Sequence, residues 1–372
     1  MKKIFYTTAK LDKRAIDNLH TYINHIDILA PQCYFLQGDG LISGKPDSAI
    51  VDAASKHSVP IMPLIINKDF NQEDFHAFLQ DSEKQKLAIE QMIRLCQDNN
   101  YYGMQFDFEN ILASDKDQYT NFYKKTAQAF HESKLAISIA VIPKLYDDYT
   151  NKSAYQQWGF NNWCGVYDIK ALAEASDFIS LMTYDQHTRN TPAGPIAGLP
   201  WVEQLLSVSL KFIEPEKLSL GIPFYSGYWT NDIIKNNPVL LRKGLNYDQV
   251  KELISSKDIS ITWNNKQKVH YGVFMENFCN NYLFIEDYYS LKEKLNLVHK
   301  LNLHGFSAWR LGFEDTRFYN LLKNNVVDHK QSIVFPAILM LVLFILLFIL
   351  LHIRPLWKLV KVVQNYKCQR SN

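Results

Sequence analysis

Residues 101–110 read YYGMQFDFEN. In an extended chain Gln105, Asp107 and Glu109 share one face, and Met104, Phe106 and Phe108 share the other. A half-exposed antiparallel strand would turn its apolar face inward and its polar face to water. Here the apolar face is bulky and continuous, as befits a parallel barrel strand covered on both sides. Gly103–Glu109 is therefore read as a barrel strand. Its Met-Phe-Phe face meets the helices, its Gln-Asp-Glu face looks into the interior, and Glu109 lies at the carboxyl end. Two carboxylates stacked in a closed interior cannot both ionise cheaply. One is expected to keep its proton near neutral pH, as a general acid must.

Seven further strand candidates surround this one: Lys3–Thr7, Ile28–Leu36, Pro60–Ile66, Leu135–Ile142, Phe178–Tyr184, Leu218–Tyr225 and Gly305–Arg310. Amphipathic stretches at 3.6-residue spacing separate most of them, including Lys13–Ile26, Ser48–His57, Glu83–Asp98 and Gln118–Glu132. Eight strand-then-helix units predict an α/β fold, a (β/α)8 TIM barrel, for residues 1–328. Residues 227–288, after the seventh strand, exceed what a barrel needs and read as a small α+β insertion on the rim. A doubly wound open sheet is disfavoured because no G-x-G-x-x-G follows any strand.

Composition narrows the function classes. Of 372 residues 47% are apolar and 13% aromatic, so there is ample surface to bury and disorder is excluded. Forty basic against 38 acidic side chains leave a formal charge of +2, with no basic stripe in the first 330 residues. No nucleic-acid partner is expected. Five Cys without a C-x-x-C pair, and 11 His without metal-ligand spacing, give no sign of a zinc module. No metal and no organic cofactor are expected.

The strand at residues 101–110 resembles the signature of glycoside hydrolase family 18, D-G-x-D-x-D-x-E on the fourth barrel strand. Gly103, Asp107 and Glu109 match it, while Tyr102 and Gln105 stand where two supporting Asp residues would be. Ser180-Leu-Met-Thr-Tyr-Asp-Gln186 is similar to the family's M-x-Y-D at the sixth strand. The stretches 194–202, 217–225 and 305–315 resemble the sixth loop, the seventh strand and the eighth strand with its Trp. The later phrasing looks most like bacterial cell-wall and spore-cortex N-acetylglucosaminidases.

The resemblance implies a retaining, substrate-assisted hydrolysis of β-linked N-acetylglucosamine polymers, either chitin-like or peptidoglycan. Glu109 is then the general acid and base, Asp107 stabilises the substrate's acetamido group, and Tyr184 donates to the acetamido oxygen. Asp185, Trp309, Met182 and Gln105 are the residues expected to border the substrate. The alternative is a lectin-like member of the same family, its catalysis impaired by Tyr102 and Gln105. Trp158, Trp163, Trp201, Trp229 and Trp263 are each expected to serve ordinary packing, although stacking on sugars suits them too.

One segment stands apart. Residues 333–353, IVFPAILMLVLFILLFILLHI, carry no formal charge with His352 neutral and as a helix would span about 31 Å, a hydrocarbon core. A single transmembrane helix is predicted there. The Lys and Arg of the tail, residues 354–372, place that tail in the cytoplasm and the barrel outside. The amino end, MKKIFYTTAKLDKR, does not read as a signal peptide, so the orientation stays open.

Overall fold

The computed structural model describes residues 1–146, 148–232 and 241–323. Residues Met1–Phe318 form one unit. Within it eight parallel strands close on themselves: β1 Lys2–Thr8, β2 Ile28–Leu36, β3 Leu64–Asn67, β4 Gly103–Phe106, β5 Ala136–Val141, β6 Phe178–Leu181, β7 Leu218–Pro223 and β8 Gly305–Trp309. Each pairs with its sequence neighbour, and β8 returns to β1 with Lys2 opposite Gly305 and Phe5 opposite Ala308. This is the predicted barrel. A short strand, Ile42–Gly44, folds back antiparallel on β2.

Several helices start where the sequence supplies a capping carboxylate. The Asp12 side chain accepts from Ala15 at the head of Lys13–Tyr22, and Asp81 does the same for Ser82–Asp98. Two strand-opening glycines have a packing reason. A Cβ on Gly103 would fall inside the carbonyl oxygen of Ala136, and one on Gly305 inside that of Lys2. These glycines let β4 approach β5, and β8 approach β1, at backbone distance.

The two faces of β4 divide as the alternation predicts. Phe106 packs outward against Phe122 and Tyr123 of helix Lys116–Glu132, with ring centroids 5.6 and 5.2 Å away. Phe108 meets Phe75 of helix Gln72–Leu79 at 4.8 Å. These rings are almost wholly buried and form the layer between barrel and helices. On the inner face Gln105 is buried among other strands' polar side chains. Tyr6 Oη donates to its Oε1 at 2.8 Å, and its Nε2 donates to Ser138 and Ser180 at 2.8 and 3.1 Å. Ser180 meets Ser307 at 2.8 Å, and Ser307 meets Ser219 at 2.6 Å. A hydrogen-bonded layer reaching from β1 and β4 to β8 thus closes the barrel beneath its mouth, with every named polar group partnered.

Between β7 and β8 the chain builds a five-stranded antiparallel sheet. Its order is Leu241–Leu245, Ser226–Asp232, Cys279–Ile285, Val269–Glu276, Thr262–Asn264. Helix Tyr247–Lys257 covers it through Val250, against Leu245, Leu283 and Ile285. A buried ion pair, Lys294 Nζ to Glu286 Oε2 at 2.8 Å, lies where this sheet runs into helix Tyr288–Lys300.

Residues 333–353 and 354–372, expected to be a membrane helix and its basic tail, lie outside the described residues. Among the described residues no helix is long and apolar enough to cross a membrane. Cys33, Cys96, Cys164 and Cys279 are free thiols.

Candidate active site

The carboxyl ends of the barrel strands open into a cavity of about 970 Å³. Asp107, Glu109, Tyr184, Asp185, Met182 and Trp309 all line it. Gln105 does not. Its amide is engaged by Tyr6, Ser138 and Ser180 below the cavity, and it is 1% exposed. The expectation that Gln105 borders the substrate is corrected accordingly: its side chain belongs to the barrel floor.

The β4 ladder ends at Phe106, short of the Glu109 predicted from alternation. Asp107 keeps one ladder bond, its amide donating to the Ile65 carbonyl at 2.9 Å. Beyond it Asn67, at the end of β3, grips the backbone of Glu109 from both sides. Asn67 Nδ2 donates to the Glu109 carbonyl at 2.9 Å, and Asn67 Oδ1 accepts from the Glu109 amide at 3.1 Å. Tyr167 Oη donates to the Phe108 carbonyl at 2.8 Å. Three residues distant in sequence thus fix a short non-ladder segment in place.

The carboxyl group of Glu109 has no hydrogen-bond partner among the described residues and is presented to the cavity. Burial raises its pKa well above the usual carboxylate value, and the nearby charges of Asp107 and Asp185 add to the effect. Asp107 is 4% exposed. Burial pushes its pKa up to about 7, against the opposing pull of the Gln32 amide, whose Nε2 donates to Asp107 Oδ2 at 2.8 Å. Such a pair holds a proton at neutral pH and can transfer it.

Tyr184 closes the far side. Burial is the main reason its phenol pKa stands well above the usual value, so it remains a hydrogen-bond donor. Its ring meets Tyr225 edge-on at 6.4 Å. Tyr225 Oη in turn donates to Asp185 Oδ1 at 2.5 Å. Asp185 itself sits at φ 62°. Trp309 lies 5.9 Å from Tyr6, a flat face at the cavity floor.

The helical and π-helical turns between β5 and β6 line one side of the cavity with aromatic side chains. Tyr155 and Trp158, each 48% exposed, stack at 6.0 Å, and Tyr149 stacks on Phe160 at 4.7 Å. Trp158, Trp163 and Trp201 line the cavity, whereas Trp229 is fully buried and Trp263 packs against His270 on the insertion. Packing is thus right for the last two. The sequence reading missed Gln32, Asn67 and Tyr225. A lone Gln in the apolar run ILAPQCYFL was a usable signal for the first, and a polar residue at a strand's carboxyl end for the second.

Comparison with known proteins agrees with this geometry. The model of the family "Glycosyl hydrolases family 18" matches residues 25–314. The uncharacterized glycosylase YvbX of Bacillus subtilis is 23% identical over 324 residues, 86% of this chain and 89% of that protein. The cortical fragment-lytic enzyme of Bacillus anthracis is 22% identical over 324 residues, 86% of this chain and 71% of that one. Among solved structures, the Bacillus megaterium spore cortex-lytic enzyme SleL superimposes with a TM-score of 0.77. Its identity is 21%, covering 87% of this chain and 73% of that chain.

Proposed function

Since the chain belongs to glycosyl hydrolase family 18 and is a glycosidase, we propose that it cleaves β-1,4-linked glycans containing N-acetylglucosamine, of the peptidoglycan or chitin type. The observation carrying this reading is the unpartnered Glu109 carboxyl group, its proton retained by burial, facing the same cavity as Asp107, Tyr184 and Trp309.

In the proposed mechanism Glu109 protonates the leaving glycosidic oxygen. The substrate's own 2-acetamido oxygen attacks the anomeric carbon, so no enzyme nucleophile is required. Asp107 orients the acetamido group and balances the positive charge that develops on it. Tyr184 donates a hydrogen bond to the acetamido oxygen. Glu109, now a carboxylate, then takes a proton from the water that opens the cyclic intermediate, with retention at the anomeric carbon. Trp309 supplies a flat face for the sugar ring, with Met182 beside it, and Asp185 is held for substrate by Tyr225. The relatives named for fragment and cortex lysis favour peptidoglycan.

Residues 333–353 are proposed to anchor the barrel to a membrane, with the barrel outside and the basic tail in the cytoplasm, on the strength of their apolar run and the flanking charges. A reporter fused to the tail tests this: periplasm-dependent activity would reverse the orientation.

The catalytic reading is tested with the full chain and its Glu109→Gln variant on fluorogenic N-acetylchitooligosaccharides and purified peptidoglycan from pH 4 to 8. Glu109→Gln should lower turnover by at least about 100-fold while sugar binding persists. Equal turnover by the variant removes Glu109 from the mechanism. Sugar binding without hydrolysis by the unmodified chain leaves the lectin-like alternative.

A further inference from the structure

Among the described residues, the cavity that holds three carboxylates also holds two arginines, Arg189 in the loop after β6 and Arg310 immediately after β8. Neither neutralises the acids of the site. The charges that press on Glu109 are Asp107 and Asp185, and among the described residues no guanidinium relieves either Glu109 or Asp107. The carboxylates that act on Arg310 are Asp12 and Glu314, neither within ion-pair distance of it among the described residues. Both are engaged elsewhere. Asp12 caps a helix, and the two oxygens of Glu314 accept from Asn18 and from the Gly312 amide at 2.8 and 2.7 Å.

Arg310 is nonetheless a positioned group. Its Nη1 donates to Thr8 Oγ1 at 3.3 Å, and its guanidinium lies over the Phe313 ring at 4.2 Å. Of its five N–H donors, one is used within the described protein. Arg189 is exposed and has no ion pair or hydrogen bond among the described residues. The hydroxyls of a neutral sugar can be bonded by amides and carboxylates, so they do not require a permanent positive charge. A half-buried guanidinium without a counter-ion is costly, and that cost is offset when a carboxylate arrives.

Building on the glycosidase reading, we propose that Arg310, assisted by Arg189, selects glycans whose N-acetylated sugars carry a carboxylate, of the 3-O-lactyl muramic type, over neutral chitin-like chains.

The experiment compares three tetrasaccharides of equal length with the full chain: alternating N-acetylglucosamine and N-acetylmuramic acid with free lactyl acids, its methyl ester, and neutral chitotetraose. Binding is measured in the Glu109→Gln background and hydrolysis in the unmodified chain, each with and without Arg310→Gln. The expected result is a preference for the free acid over its ester, with Arg310→Gln lowering the acid-to-ester ratio about ten- to 100-fold. A peptide-bearing tetrasaccharide, in which the lactyl acid is an amide, locates the anion. Arg310 dependence there assigns it to the peptide's carboxylates, and its loss assigns it to the sugar.

Equal loss of acid and ester on substitution would overturn the proposal and make Arg310 a packing residue. Hydrolysis of all three glycans without an Arg310-dependent ratio would also overturn it, leaving the glycosidase reading intact. Neither binding nor hydrolysis of any of them would remove both. Folding of Arg310→Gln is checked by its thermal midpoint, and Arg189→Gln, on an exposed loop, supplies a second variant expected to move the ratio in the same direction.

Discussion

Gln32 on β2 donates its amide to Asp107 beyond β4 at 2.8 Å, a contact bridging 75 positions of sequence. Among the described residues it is the one side-chain hydrogen bond drawing the pKa of Asp107 down against its burial. Replacing Gln32 with Leu leaves the ionised carboxylate without that support. In the proposed mechanism Asp107 acts as an anion opposite a developing positive charge, so the acidic limb of the kcat/KM profile should move up by about one pH unit. A profile displaced downward, or unmoved at equal fold stability, would disconnect Gln32 from the chemistry.

Asn67 is 2% exposed and satisfies both backbone groups of Glu109. Asn67→Ala orphans these groups at the point where the chain has left its ladder. Unfolding in urea should show a loss of about 1–3 kcal/mol. kcat should fall more than KM rises, because the general acid loses its fixed position. Asn67→Asp restores only the acceptor and should recover part of the stability.

The buried acids also give folding a pH dependence of definite sign. Asp107 titrates near 7 in the folded chain against an ordinary 3.8. Between those values the folded state holds a proton that the unfolded state has released. Stability is therefore fullest below about pH 4 and declines as pH rises through 7, by at most about 4 kcal/mol at about 1.4 kcal/mol per pH unit. Asp107→Asn should flatten that slope and melt higher than the parent at pH 8. An unchanged slope would mean that Asp107 does not hold its proton in the folded chain.

Trp158 is 48% exposed and stacks on Tyr155 beside the cavity. Its truncation to Ala should change stability by no more than about 0.5 kcal/mol, as exposed positions do. On chains of four or more sugars it should raise KM several-fold, with less effect on disaccharide substrates. Equal KM for long and short chains would assign Trp158 to the surface rather than to the glycan.

Lys294 and Glu286 are each 1% exposed and paired at 2.8 Å. Lys294→Met strips the partner from a buried carboxylate and should cost about 3–5 kcal/mol, measurable by calorimetry. The double variant Lys294→Met, Glu286→Leu should recover most of that loss.

Much of the barrel was legible because its signals are local. All eight strands overlap the stretches expected for them, although those expected at Pro60–Ile66 and Phe178–Tyr184 are shortened to Leu64–Asn67 and Phe178–Leu181, and the helix expected at Ser48–His57 matches to the residue. The strand containing Glu109 was overextended because alternation continues to Glu109, while the ladder stops at Phe106 where Asn67 takes over the backbone bonds. Asp107, Glu109, Tyr184, Asp185 and Trp309 converge on one cavity as their positions at strand ends suggest. Gln32, Asn67 and Tyr225 were hidden for a different reason. Each acts on a residue at least 40 positions away, a relation carried by barrel closure and by no spacing in the chain. Gln105 shares a face with Asp107, yet one step down the strand is deep enough for its neighbours to be serines instead of substrate.

That displacement makes the barrel floor electrically silent. Gln105 accepts from Tyr6 through its carbonyl oxygen and donates to Ser138 and Ser180 through its nitrogen, so its donor and acceptor sides are both used. An ionised Asp at position 105 could only accept, and a buried negative charge would then sit directly beneath Asp107 and raise its pKa further. With Gln105 the floor joins hydroxyls to an amide and adds no charge to the acids above it.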